Sequence, residues 1–223
     1  MLFDCDGTLV DSELIAAAVT AELLGARGVP LDAAAVLESF TGLSAASTKT
    51  LVAERFGVVL GPDFDADKRA RLDAAFTAGL RAVPGVPGLL AALAGAGRPM
   101  CVASSSSPQR IDHSLATASL DAYFPPARRF SAAMVERGKP APDLFLLAAS
   151  RLGAGTESCT VVEDSPYGVE AGVAGGMTVI GFTGAAHASP DLVGRLDRAG
   201  ATAVAADATG LARLLDQAGR RRP

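Results

Sequence analysis

The chain has 223 residues, of which 49% are hydrophobic, 20% charged and 5% aromatic, and 20 basic against 24 acidic side chains leave a net charge of −4. That length makes one large domain or two modest ones, and a chain so rich in aliphatics at low net charge is not disordered. The acidic balance excludes nucleic acid or an anionic membrane as the expected partner, since both need a positive surface.

In chain order, residues 1–3 read as a short strand ended by Asp4. Ser12 reads as the N-cap of a helix that opens at Glu13 and is stopped by Gly28 and Pro30. Two or three more helices follow, near 32–39, 44–56 and 65–80, with no convincing strand alternation among them. The mode changes at Pro84-Gly85. Helices are expected over 86–96, 109–119, 143–151, 167–173 and 210–218. Strands are expected over 99–103, 129–131, 159–162, 177–182 and 201–205. Strands alternating with helices at this spacing imply βαβ crossovers and a parallel sheet covered on both faces. The expected architecture is therefore α/β: a doubly wound, Rossmann-like core from 1–12 and 84–223, interrupted after its first strand by an all-helical cap over 13–83. Ligands of such folds bind at the carboxyl ends of the strands. Residues 219–223 read as a short, frayed basic tail.

Three cysteines (Cys5, Cys101, Cys159) are an odd, widely spaced set, which disfavours a disulfide framework or a zinc knuckle. Cys5 is expected to pack rather than react. His113 and His187 stand too far apart in sequence for a histidine metal cluster, and His113 is expected at the surface. No segment reaches the ~18 apolar residues of a membrane span, and the first residues lack the basic start of a signal peptide. A soluble cytoplasmic protein, monomeric or weakly dimeric, is expected.

Four motifs carry chemistry. Asp4-Cys5-Asp6-Gly7-Thr8 places two carboxylates two residues apart at a strand end, on one side of the chain. A solvated acidic turn is the alternative, but the position at the mouth of a parallel sheet favours a metal or phosphate site. Ser104 and Ser105 follow the second strand and precede a helix, where hydroxyls and N–H groups either bind an anion or simply cap the helix. Lys139 precedes Pro140 in Gly138-Lys139-Pro140-Ala141-Pro142, a stiff setting that can aim a side chain; alone, it reads as a surface lysine. Glu163 and Asp164 end another strand before Ser165, either as oxygen ligands suited to Mg²⁺ or as a helix cap. Four such motifs at four strand ends of one sheet supply what phosphoryl transfer needs: a nucleophile, positive partners and hydrogen-bond donors.

With these motifs in this order, the chain resembles the haloacid dehalogenase superfamily, in the capped branch of sugar-phosphate phosphatases and β-phosphoglucomutase. Asp4–Glu13 resembles the first motif, Ser104 the second, Lys139 within GKPAPD the third, and Glu163-Asp164-Ser165 the fourth. Within the branch the phosphogluconate phosphatase type is nearest, through DCDGTLVDSE and the CVAS segment at 101–104. The resemblance implies Mg²⁺ and an aspartyl-phosphate intermediate, with Asp4 as nucleophile and Asp6 as general acid/base. It implies Asp4, Asp6 (through its carbonyl), Glu163 and Asp164 as metal ligands, and Ser104, Ser105 and Lys139 as phosphate partners. Only three residues precede Asp4, fewer than the family's usual first strand.

The expected activity is hydrolysis of a small phosphorylated metabolite, a sugar or sugar-acid phosphate. Mutases of this branch carry a phosphate-gripping arginine after a K-G-V-S run in the cap, but Thr41-Gly42-Leu43-Ser44 is followed here by Ala45. The mutase histidine five residues beyond the Asp11 position corresponds to Ala16. A mutase therefore stays as the alternative, with a haloacid dehalogenase behind it because Asp6 and Asp164 are superfluous to that chemistry. In the cap, Thr41, Gly42, Lys49 and Arg69 are the expected substrate contacts, and the polar positions Thr41, Ser44, Lys49 and Arg69 suit hydroxyls and a carboxylate. Lys68 is a further cation able to reach an anionic substrate, against the blander reading of a solvated helix face.

Overall fold

A computed structural model describes residues 1–41, 43 and 45–220. The segments arise in the order β1 (Leu2–Phe3), α1 (Glu13–Gly25), α2 (Ala33–Phe40), α3 (Ala45–Phe56), α4 (Pro62–Gly79), α5 (Val86–Gly95) and β2 (Cys101–Ser104). There follow α6 (Pro108–Thr117), β3 (Arg129–Ser131), α7 (Asp143–Leu152), β4 (Thr160–Glu163), α8 (Pro166–Ala174), β5 (Thr178–Phe182), α9 (Leu192–Arg198), β6 (Ala203–Ala205) and α10 (Ala208–Arg220). Helix α9, absent from the sequence expectation, is only seven residues long and is held by Leu192 and Leu196, one turn apart and both buried. Helix α4 begins at Pro62, earlier than expected, because Gly61 and Pro62 suit a helix entry. Helix α10 runs on to Arg220, so residues 219 and 220 of the expected frayed tail are helical; residues 221–223 lie outside the described residues.

All strands pair in parallel, in the order β3-β2-β1-β4-β5-β6. The two-residue β1 is central, with Leu2 and Phe3 opposite Cys101 and Val102 on one side and Val161 and Val162 on the other. Strict alternation sends Phe3, Val102, Val162 and Ile180 into one apolar layer, roofed by α5, α6 and α10. Leu2, Cys101, Ala103, Val161 and Val179 enter the opposite layer, against α7, α8 and α9. Cys5 is fully buried within the first layer, as a packing residue should be.

Helices α1 to α4 have a smaller apolar cluster of their own, including Leu23, Leu24, Val52 and Phe64. The chain leaves and re-enters the sheet region along two paired segments: Asp11 N–H donates to Arg81 O (2.9 Å) and Val83 N–H to Leu9 O (3.0 Å). The second half of α4 does not belong to that cluster, because Leu72, Phe76 and Leu80 pack into the first sheet layer. No described helix is long and apolar enough to cross a membrane.

The sheet layer gives a direct stability test. Phe124 is fully buried and meets Phe3 edge-on, with ring centroids 6.2 Å apart. Phe124→Ala should destabilise the fold by about 3–5 kcal/mol, read as a lower urea midpoint at unchanged slope.

Candidate active site

Every strand of a parallel sheet ends its carboxyl terminus on the same side, so the three motifs at the ends of β1, β2 and β4 converge by topology alone, whereas Lys139, expected at a strand end, lies eight residues beyond β3. The Asp4 N–H extends the ladder by donating to Val162 O (3.0 Å), which sets Asp4 beside the end of β4. Gly7 then turns with φ of +77°. A Cβ there would overlap the Asp164 carboxylate, so glycine both permits the turn and leaves that carboxylate its place.

Lys139 reaches into this corner from the loop before α7. Its ammonium is 2% exposed and donates to Asp4 Oδ1 (2.5 Å), Glu163 Oε1 (2.6 Å) and Ala103 O (3.0 Å), using all three donors. The ring of Phe145 lies 5.0 Å below it. Glu163 Oε2 accepts from Ser165 N–H (2.8 Å) and Oγ (2.9 Å). Glu163, expected as a metal ligand, thus has both oxygens engaged by Lys139 and Ser165. Gly168 makes room for it, since a Cβ there would overlap its carboxyl.

Burial drives the Asp4 carboxyl well above the usual carboxylate range, and Glu163 and Asp164 push it the same way against the pull of Lys139. Burial works against the Lys139 ammonium too, but Asp4 and Glu163 outweigh it and raise its pKa.

Asp164 takes the Thr8 hydroxyl on Oδ1 (3.0 Å), and His187 Nε2 stands 3.1 Å from Oδ2. The helix-cap alternative for Asp164 fails: Ser165 caps α8, accepting from Gly168 N–H (3.1 Å). Asp6 is held apart from Lys139. Its Oδ1 accepts from Ser12 Oγ (2.7 Å) and Arg110 (3.2 Å), and its Oδ2 from Ser106 Oγ (2.6 Å). Burial alone would raise the Asp6 carboxyl, but Arg110 and the two hydroxyls hold it below its usual range. Ser12 therefore does not cap α1 as expected; its hydroxyl is spent on Asp6. Ser104 is the last residue of β2 and accepts from Ser106 N–H (3.1 Å), while Ser107 caps α6. Ser105 lies in the same turn and lines the cleft.

These groups form the floor of a cleft of about 1010 Å³ whose roof is α1 to α4. Thr41, Lys49 and Arg69 line it, but Lys49 is paired with Asp65 (2.6 Å) and the Thr41 hydroxyl donates to Leu37 O (2.7 Å). Gly42 and Ser44 lie outside the described residues. His113, expected at the surface, is half-buried in the cleft wall beside Thr77 (3.1 Å) and Asp73 (3.6 Å).

Sequence reading missed Thr8, Ser12, Ser106, Arg110 and His187. Only the placement of Arg110 three residues after the capping Ser107, in the first turn facing the sheet top, carried a signal. His187 has none in the sequence; it arrives from the loop after β5.

Among the described residues no group of three or more His, Cys, Asp or Glu side chains is placed to hold a metal ion. The donor set still fits a hard cation with retained waters. Asp4, Glu163 and Asp164 crowd together, raising the Asp4 carboxyl, with the lone ammonium of Lys139 among them.

Glu13, beneath the roof, has its carboxyl pushed up to about 7 by burial, with Asp6 and Asp164 adding to the effect. An acid with a raised folded pKa binds more protons folded than unfolded, so its contribution to stability falls as pH climbs from about 4.5 towards 7. Glu13→Gln should therefore leave Tm nearly unchanged at pH 4 and raise it increasingly from pH 5 to pH 8, measured by scanning calorimetry.

A model of haloacid dehalogenase-like hydrolases matches residues 1–176. The chain is 33% identical over 191 residues to 6-phosphogluconate phosphatase of Escherichia coli K12, covering 85% of each protein. It is 37% identical over 182 residues to hexitol phosphatase A of the same organism, covering 80% of each. A haloacid dehalogenase family hydrolase from Deinococcus radiodurans, solved with bound phosphate and sodium, superposes with a TM-score of 0.79 at 37% identity, over 98% of this chain and 95% of that one. With that match, and with the strand-end motifs in place on a parallel sheet, the chain belongs to the haloacid dehalogenase-like hydrolases.

Proposed function

We propose that the chain is a phosphoric monoester hydrolase that releases phosphate from a small sugar or sugar-acid phosphate. The observation that carries this reading is Lys139, buried between Asp4 and Glu163 at the ends of two adjacent strands. A phosphoryl group above Asp4 would meet that ammonium, and Ser104 and Ser105 line the same cleft. The named relatives support the substrate class.

An Asp4 carboxylate oxygen attacks phosphorus, the ester P–O bond breaks, and Asp6, ionised in the free protein, takes up a proton as the anionic phosphoryl group enters beside it and passes that proton to the leaving oxygen. Asp6 then takes a proton from water as water attacks the acyl phosphate, which restores Asp4 and frees inorganic phosphate. Ser12 and Ser106 fix the Asp6 carboxyl for both transfers, while Glu163 positions Lys139. Asp4, Asp164 and the Asp6 carbonyl would hold Mg²⁺, which when bound neutralises the charge of the phosphoryl oxygens.

Two outcomes test this. Asp4→Asn should abolish release of p-nitrophenol from p-nitrophenyl phosphate, and EDTA should do so reversibly in the wild type; metal-independent turnover would refute the reading. Hydrolysis rather than transfer rests on Ala16 and Ala45, which line the cleft where a mutase needs cations. With β-glucose 1-phosphate, trace bisphosphate and Mg²⁺, free phosphate should form faster than glucose 6-phosphate. The reverse order would restore the mutase.

A further inference from the structure

His187 is a buried side chain that the reaction scheme leaves without a task. Strand β5 is the neighbour of β4, with Gly181 opposite Glu163, so the loop that follows β5 leaves the sheet beside the turn that carries Asp164. The His187 side chain is 4% exposed and that of Asp164 3%, and Nε2 stands 3.1 Å from Oδ2. This is close, but off the line of a full hydrogen bond, and Nδ1 has no hydrogen-bond partner among the described residues. Burying an imidazole in this way is costly, and an apolar side chain would serve packing better. The position points to a polar task at Asp164.

Two further contacts hold the ring there. A Cβ on Gly7 would overlap both the Asp164 carboxylate and His187 Cε1, so that glycine clears room for the pair. Asp11 Oδ1 accepts from the Ala186 N–H (3.1 Å), and Ala185 is buried in the first sheet layer, so the loop is anchored directly before the histidine.

Asp164 needs such support. It lies close enough to Asp4 to raise that carboxyl, yet the ammonium of Lys139 pairs with Asp4 and Glu163 instead. Asp164 has the Thr8 hydroxyl on Oδ1 and His187 beside Oδ2. Partners of this kind fix the orientation of a carboxylate that ligates a metal ion.

We propose that His187 is a positioning residue: with Thr8 it holds the Asp164 carboxylate in one orientation before Mg²⁺ arrives, so that the ion binds without turning its ligand. The proposal rests on the reading of Asp164 as a ligand of Mg²⁺ given above.

The test is Mg²⁺ affinity by isothermal titration calorimetry at one fixed pH, beside steady-state kinetics on p-nitrophenyl phosphate. His187→Leu roughly keeps the size and removes the polar edge, whereas His187→Gln keeps an amide N–H within reach of the Nε2 position. His187→Leu should weaken Mg²⁺ binding at least tenfold, and His187→Gln should stay within about threefold of the wild type. At saturating Mg²⁺, kcat and KM of His187→Leu should return to near wild-type values, and the metal-free Tm should fall by no more than about 4 °C. Asp11→Ala frees the loop but leaves the ring, and should weaken Mg²⁺ binding by about threefold. A residue that only packs would give the opposite order, with leucine tolerated and glutamine damaging. That order, Mg²⁺ affinity in His187→Leu equal to or tighter than the wild type, or a drop in kcat that excess Mg²⁺ does not restore overturns the proposal and leaves the phosphatase reading intact. If His187→Leu does not fold, Asp11→Ala decides, and unchanged Mg²⁺ affinity there overturns the proposal. Absence of Mg²⁺ binding and of ester hydrolysis in the wild type overturns both readings.

Discussion

The buried ammonium of Lys139 is the contact around which the site is organised. Asp4, Glu163 and Asp164 meet at the ends of β1 and β4 because those strands are neighbours in register. Three carboxylates so close, out of water, would repel one another; Lys139 joins two of them and caps the carbonyl of Ala103 at the end of β2. Removing one partner from a buried pair of this kind costs about 3–5 kcal/mol, because the other charge is left bare. Its neighbours are fitted to it: Ser165 fixes the far oxygen of Glu163, and Gly168 gives that carboxyl room.

A second polar cluster is kept apart from the first. Asp6 turns away from Lys139 to Ser12, Ser106 and Arg110, so the two aspartates of one motif sit in opposite electrostatic surroundings. One is raised by burial among acids, the other lowered by a guanidinium and hydroxyls.

The roof is tied to the floor through α4. Its first half belongs to the apolar cluster of the inserted helices, while Leu72 and Phe76 lie in the sheet layer. Arg110 stacks on Phe76 while bonding Asp6, so one side chain touches both the sheet-top chemistry and the helix that carries Lys68. The entering and leaving segments, paired at Asp11–Arg81 and Leu9–Val83, keep this insertion in fixed register with β1.

The sequence by itself determined the alternation of strands and helices, the helical insertion after the first strand, and three strand-end motifs with a fourth in the loop before α7. Those are local: apolar period, glycine and proline punctuation, and acids directly after an apolar run all act within a few residues. It also placed Asp4, Asp6, Ser104 and Lys139 near one another, since parallel strands share a carboxyl edge. What the tertiary structure alone decided is which polar groups meet. Ser12 looked like a cap and became a partner of Asp6; Glu163 looked like a metal ligand and became the anchor of Lys139; Lys49 looked free and is neutralised by Asp65, leaving Lys68 unmatched. Helix α9 is too short to announce itself and forms because Leu192 and Leu196 find an apolar surface waiting. Such pairings join residues up to 175 positions apart, as Asp11 and the Ala186 N–H show, and a charge's partner at that range is fixed by strand order and burial, which no local pattern encodes.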